Sequence, residues 1–189
     1  PDALTIPVDG HLVVACDPGR PVAANAGNLN TSMALPLQGG AVYLLDDAGR
    51  EIDRVEFGSQ VVGLSIGRIT DSGNWTLLAA PTPDDLNFES SPFGSFSALR
   101  INEWLANSPS DAGDFVELYN PSDDPGDLTG LRLTDDLSTS GVGRFTFPIL
   151  SFIAGGGFAV LTADDSPAPG HLPFRLHADG ESLRLYRAT

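Results

Sequence analysis

Residues 101–136 read INEWLANSPSDAGDFVELYNPSDDPGDLTGLRLTDD, and this stretch decides the fold. Residues 115–119 alternate in character, so that Glu117 shares one face of a predicted strand with two aromatic side chains, while two aliphatic side chains lie on the other face. Clusters of Pro, Gly, Asp and Ser on both sides of this run are typical of turns. The stretch therefore predicts short β-strands that are joined by tight turns.

The rest of the chain has the same character. Short apolar runs such as HLVVAC, AVYLLD, FAVLTA and SLRLY are separated by turns that draw on 21 Gly and 15 Pro. Apolar residues do not recur at helical spacing over about eleven residues, which predicts short helices at most. No apolar run reaches about 18 residues, so no membrane insertion is expected. The predicted fold class is all-β, as a sandwich or a barrel.

Several motifs follow one another between residues 101 and 157. They are INE, FVELYN, DLTG, LTDD and the strand entry IAGGG. In this order and at domain spacing they resemble the opening of the lamin tail domain family, in the form found in bacterial secreted proteins. The resemblance implies an immunoglobulin-like β-sandwich of the lamin tail type, which acts as a module and not as an enzyme.

The first half of the chain resembles the other end of the same family. The segment TIPVDGHLVVACD parallels FIAGGGFAVLTAD, and LPLQGGAVYLLDDAG parallels FRLHADGESLRLY. The segment from EIDRVEF to PTPDDLN then resembles the closing part of the family. We therefore predict an internal duplication in two partial copies. Residues 1–97 would be the C-terminal portion of one domain, and residues 98–189 the N-terminal portion of a second.

A sandwich that lacks strands exposes unpaired edges, and such edges pair readily with another chain. Three arrangements are open from the sequence. The chain is a fragment of a longer secreted protein, or the opening strands of the second copy complete the first copy, or two molecules form a strand-exchanged homodimer. The second portion could equally complete a neighbouring molecule.

The charge is strongly acidic, because 25 Asp and Glu oppose 10 basic residues, all of which are Arg, for a net charge of −15. A surface of this sign repels a phosphate backbone, so no nucleic-acid partner is expected. Acidic surfaces favour solubility, which agrees with an extracellular or cell-surface location. No cofactor is expected, and the one alternative is calcium, because acidic turns can supply its oxygen ligands.

The calcium candidates bracket one predicted strand, and they are Asp111, Asp114, Asp123, Asp124 and Asp127. None of them matches the spacing of a calcium-binding loop of the EF-hand type. A structural explanation competes, because Asp side chains stabilise turns by bonding to their own backbone.

Two further carboxylates, Glu103 and Glu117, lie inside predicted strands, where Glu is disfavoured. We interpret both as structural carboxylates. A half-buried Glu117 needs a donor, for which Arg132, Arg68 or backbone amides are candidates. The alternative is a pair of glycosidase carboxylates, but the resemblance implies no hydrolase.

The remaining reactive side chains are predicted to be structural. Cys16 lies in the run LVVAC and is expected to be a buried small hydrophobe. His171 and His177 do not match a common zinc spacing. Trp75 and Trp104 are expected to be buried, although exposed aromatic rings would favour carbohydrate binding.

The function that these patterns predict is a non-catalytic extracellular or surface module for adhesion, spacing or targeting. Its partner would be a protein, a cell surface or a polysaccharide. The alternatives are a carbohydrate- or calcium-dependent ligand-binding module, and an accessory domain of a secreted nuclease or phosphatase.

Overall fold

The computed structural model describes residues 5–25, 27–69, 73–109, 113–136 and 144–187. Within these ranges the regular structure is almost entirely β, and the one helix is the three-residue 3-10 helix η1 (Phe96–Ala98). The all-β prediction is therefore confirmed. The strands, in chain order, are β1 (Ala23–Asn25), β2 (Asn28–Asn30), β3 (Gly40–Leu45), β4 (Glu51–Phe57), β5 (Ile66–Arg68), β6 (Trp75–Leu77), β7 (Arg100–Leu105), β8 (Phe115–Tyr119), β9 (Gly126–Asp127), β10 (Leu131–Thr134), β11 (Phe145–Thr146), β12 (Phe152–Ile153), β13 (Phe158–Ala163), β14 (His171–Leu172) and β15 (Arg184–Arg187).

The chain forms two compact units, and each is built from two separate segments. The first unit combines Pro1–Pro36 with Gly63–Ser90, and the second combines Leu37–Val62 with Ser91–Thr189. These units show which segments fold together, but they do not show whether the two halves of the chain arose by duplication. The division into two related portions at residues 97 and 98 therefore stays a prediction.

The first unit contains two antiparallel hairpins, β1–β2 and β5–β6. Its buried apolar side chains among the described residues are Leu77 and Leu78. Within the described residues, the run LVVAC, which reads as a strand, forms only an isolated bridge from Ala15 to Asn30. Leu12, Val13 and Val14 are therefore exposed.

The second unit is a β-sandwich. One sheet has the order β14-β13-β8-β7, and the other has the order β11-β10-β15. Strand β8 alternates as the sequence predicts, because Val116 and Leu118 are fully buried while Phe115, Glu117 and Tyr119 are only half-buried. These two side chains share one core cluster with Leu131 and Leu133 of β10 and with Leu161 of β13.

The hairpin β3–β4 belongs to this unit although it lies far away in the sequence. The Phe152 amide donates to the Ser59 carbonyl at 2.7 Å, and the Gln60 side-chain amide donates to the Leu150 carbonyl at 3.0 Å. Position 58 requires glycine, because a Cβ there would lie 1.8 Å from the Ser151 hydroxyl oxygen. These bonds fix the base of the hairpin on the segment around β12.

A second tight corner follows β8. The side chain of Asn120, which is 1% exposed, donates to the carbonyls of Asp124 and Ala154 at 2.9 and 3.1 Å. The Gly156 amide donates to the Ser122 carbonyl at 2.8 Å. Asn120 thus joins the loop after β8 to the turn before β13.

Candidate ligand-binding cleft

The second unit contains a cleft of about 890 Å³. One wall is a face of the β3–β4 hairpin that carries Tyr43 and Glu56, and the opposite wall is strand β13. Phe57, Phe147 and Phe152 contribute to the apolar lining. Among the described residues that line the cleft, Glu56 is the only charged one.

Strand β13 presents an open edge to this cleft. The Asn120 amide donates to the Gly157 carbonyl, and the Ala163 amide donates to the Asp114 carbonyl. Hydrogen-bonded positions alternate along an antiparallel pair, so the amides and carbonyls of Phe158 and Val160 point away from β8. Strand β14 pairs only farther along β13, at residues 162 and 163. Among the described residues, no strand therefore pairs with this edge of β13 at Phe158 and Val160.

The side chains at this edge are apolar and accessible. Phe158 is 57% exposed and Val160 is 56% exposed. The Phe158 ring stacks on Tyr119 of β8, with centroids 4.7 Å apart and an interplanar angle of 22°. An exposed apolar strand edge beside a groove is the arrangement that binds extended peptides by strand addition.

The two predicted structural carboxylates lie opposite each other. Glu103 of β7 is the register partner of Glu117 of β8, beside a bulge at Asn102. Glu117 is half-buried, as predicted, and it accepts a hydrogen bond of 2.7 Å from the Asn102 side chain. Sequence reasoning missed this donor, because only the bulge brings Asn102 beside Glu117.

Among the four calcium candidates that the structure describes, no three come together. Asp114 precedes β8 and accepts a hydrogen bond from the Ser108 amide at 2.8 Å, whereas Asp123 and Asp124 follow β8 and are exposed. Asp127 accepts from the Thr129 amide at 2.9 Å, as expected for a turn residue. The first and last residues of this five-residue strand lie about 13 Å apart.

Asp111 lies outside the described residues. No group of three or more His, Cys, Asp or Glu residues within the described ranges could hold a metal ion. Calcium binding at these carboxylates stays a prediction, and the geometry of the described residues adds no support to it.

Two burial predictions are wrong. Cys16 is exposed, because the described residues give its run only the single bridge at Ala15. Trp104 lies opposite the buried Val116 but is 61% exposed, because β7 is the edge strand of its sheet. Trp75 is half-buried, with the Arg68 guanidinium 4.4 Å from its ring centroid.

One polar pair was missed by the sequence analysis. His171 Nδ1 lies 2.9 Å from Asp164 Oδ2, and the hydrogen bond with His171 lowers the pKa of the Asp164 carboxyl. The two residues are seven positions apart and meet because β14 returns beside the end of β13. His11 and His177 are exposed.

Among the described residues, none of the helices has the length and apolar character that crossing a membrane requires. Comparison with known families gives one match, in which the model of the Lamin Tail Domain covers residues 94–189. This match does not extend to a second partial copy in the first half. No curated protein and no solved structure matches the chain.

Proposed function

The chain belongs to the lamin tail domain family, and from this premise we propose that it is a targeting module whose second unit binds an extended polypeptide segment. Modules of this family are immunoglobulin-like and non-enzymatic. The observation that carries the proposal is the open edge of β13 beside an apolar cleft. A bound strand would pair with the backbone of Phe158 and Val160 and place alternate side chains in the cleft.

The charge of the cleft specifies the segment further. Glu56 lies on the wall, and the other described lining residues are uncharged. A peptide with alternating apolar side chains and an interspersed Lys would bind better than its Glu counterpart, because opposite charges attract across the cleft.

The setting that we propose is extracellular or at a cell surface, where the module serves adhesion, spacing or targeting. A net charge of −15 with Arg as the only basic side chain supports a soluble, exposed module. The resemblance to bacterial secreted proteins supports the same setting. If the module is an accessory domain of a secreted enzyme, the same cleft would bind the segment that targets the enzyme.

The substitution Val160→Pro tests strand addition. Proline removes the outward amide of residue 160 but no hydrogen bond of the β8 ladder, so the sandwich should persist. We expect peptide affinity to fall about tenfold, because one backbone hydrogen bond and the close approach of the strand are lost. The measurement is fluorescence anisotropy with labelled alternating peptides that carry Lys or Glu.

The matched control is Val160→Ala, which shortens the same side chain but keeps the amide. It should retain most of the affinity of the parent chain. Equal affinities of the proline and alanine variants, or no binding of any peptide in the panel, would exclude strand addition at this edge.

Carbohydrate binding is a second candidate, and the exposure of Trp104 favours it. An indole ring that is 61% exposed offers an apolar face to a sugar. The substitution Trp104→Ala should then abolish retardation of the chain in gels that contain a soluble polysaccharide. Trp75→Ala serves as the control, since that indole is already covered by Arg68. Retardation that is equal for the parent chain and both variants would eliminate this candidate, and repeating the gels with calcium tests a calcium-dependent form.

A further inference from the structure

The first unit exposes an apolar run that has the composition of a strand. The run HLVVAC occupies residues 11–16, and the side chains of residues 12 to 14 are 42% to 54% exposed. Its Val residues are β-branched and suit an extended backbone. Its one strand contact within the described residues is the bridge at Ala15. An exposed run of this kind is a ready partner for an open sheet edge.

The bridge at Ala15 indicates which side of the run is open. Both backbone groups of Ala15 point toward β2, because its amide donates to the Leu29 carbonyl at 3.0 Å and its carbonyl accepts from the Thr31 amide at 2.9 Å. Backbone groups of successive residues in an extended chain point to alternate sides. The amides and carbonyls of Leu12 and Val14 then point away from β2. Among the described residues, neither of them makes a hydrogen bond.

The open edge of β13 has the same spacing. Its outward backbone groups belong to Phe158 and Val160, while the outward amide of Thr162 already donates to the loop before β14. The outward groups of the run belong to Leu12 and Val14, which are also two positions apart. An antiparallel register that sets Leu12 opposite Val160 sets Val14 opposite Phe158. Both would be hydrogen-bonded pairs, in which each amide donates to the opposite carbonyl.

The turn before the run lets it leave the edge where β14 begins. The Gly10 amide donates to the Pro7 carbonyl at 3.0 Å, and Asp9 has a φ of +58°. The chain therefore turns immediately before residue 11. In the antiparallel register, Gly10 comes opposite Thr162, which is the first position of β13 that β14 covers. The run thus has the length of the part of the edge that is open.

The run also fits the charge of the cleft beside this edge. Residues 10–16 include no carboxylate, although the chain has 25 Asp and Glu, and their one basic side chain is His11. Glu56 is the only charged residue among the described residues that line the cleft. A run without carboxylates avoids repulsion from Glu56, and a protonated imidazole attracts it. Of the strongly acidic chain, this run is therefore a segment that the cleft tolerates.

We propose that residues 11–16 of a second copy of this chain add as a strand to the open edge of β13. This inference rests on the proposed function, because it assigns an occupant to the same edge. Opposite residues of an antiparallel pair share one face of the sheet, so Leu12 and Val14 join Phe158 and Val160 in the cleft. Two copies that exchange the run reciprocally close into a dimer, while a one-way contact continues into a chain of molecules.

The first test is light scattering of the intact chain over a series from micromolar to near-millimolar protein. The mass should rise above the 19.8 kDa of one chain as concentration increases. High salt should strengthen the association, because it screens the repulsion between copies that each carry a net charge of −15. A mass that stays at one chain throughout, at low and at high salt, would overturn the inference. Binding of the labelled peptides would in that case still support the proposed function.

Two proline substitutions locate the run. Val14→Pro removes an amide that points to β13 in the proposed register, so self-association should weaken at least about tenfold. Val13→Pro is the matched control, because the amide of residue 13 points to the opposite side, and it should leave the association nearly unchanged. Both variants keep the bridge at Ala15, and circular dichroism checks that they are folded. Equal effects of the two prolines would assign self-association to a different surface.

Mixing two defective chains provides the independent check. The Val14→Pro chain keeps an intact β13 edge and should still bind the labelled peptides, whereas the Val160→Pro chain keeps an intact run. Each variant alone should remain a monomer. The equimolar mixture should form a complex of one chain of each kind, because only one of the two reciprocal contacts can form. A mixture that stays monomeric, or a variant that associates by itself as strongly as the parent chain, would contradict this pairing.

Discussion

Replacing Gly155 by Ala is expected to lower the free energy of unfolding of the second unit by about 3 kcal/mol. A Cβ at this position would lie 1.9 Å from the carbonyl oxygen of Asp123 and 2.5 Å from its carbonyl carbon. Backbone atoms cannot rotate away as a side chain can, so the loop after β8 must move. That movement lengthens the hydrogen bonds that the Asn120 side chain donates to the carbonyls of Asp124 and Ala154. Chemical denaturation of the variant and the parent chain measures the difference.

The neighbouring glycine is the matched control. Gly156 has a φ of +62°, and a Cβ there would meet nothing within 4 Å. Gly156→Ala should therefore cost only the strain of a left-handed backbone, about 1 kcal/mol. Similar losses for the two alanine variants would show that crowding against Asp123 does not constrain this corner.

The second large effect concerns the fragment of residues 1–97, which is expected to show no cooperative thermal unfolding. The fragment retains the hairpin β3–β4 but removes the segment around Phe152 to which the base of that hairpin bonds. Within the described residues, the first unit buries only Leu77 and Leu78 as apolar side chains. So small a core cannot offset the entropy of ordering the chain. Circular dichroism melts and analytical ultracentrifugation provide the measurement.

The matched control is the fragment of residues 37–189, which holds both segments of the second unit. It should unfold cooperatively, with a midpoint near that of the intact chain. A soluble 1–97 fragment with a sharp melting transition would contradict the interpretation, because the hairpin would then find its partners within the first half.

The local sequence pattern predicts burial correctly where alternating residues of one strand define its buried face and its exposed face. The alternation over residues 115–119 predicted which side chains of β8 are buried, and Val116 and Leu118 are fully buried. The same alternation predicted that Glu117 is half-buried. The motifs from INE to IAGGG predicted the family, and the family match covers residues 94–189.

Local pattern was misleading where burial depends on a distant partner. The run LVVAC has the composition of a strand, but Cys16 is exposed because the described residues supply only one bridge. Trp104 has the position of a core residue, but it lies on an edge strand. The aspartates around β8 are neighbours in sequence, whereas an extended strand holds its two ends apart.

The sequence by itself determined the all-β class, the burial pattern of β8 and the family, because these depend on side-chain alternation, turn residues and motifs that are local in the chain. Only the tertiary structure decided that residues 37–62 fold with the second half, and that the cleft therefore lies between segments about a hundred positions apart. The same is true of the edge of β13 at Phe158 and Val160, which no strand of the described residues covers. Whether the edge of a strand is paired depends on which strand arrives beside it, and that information is distributed over the whole chain.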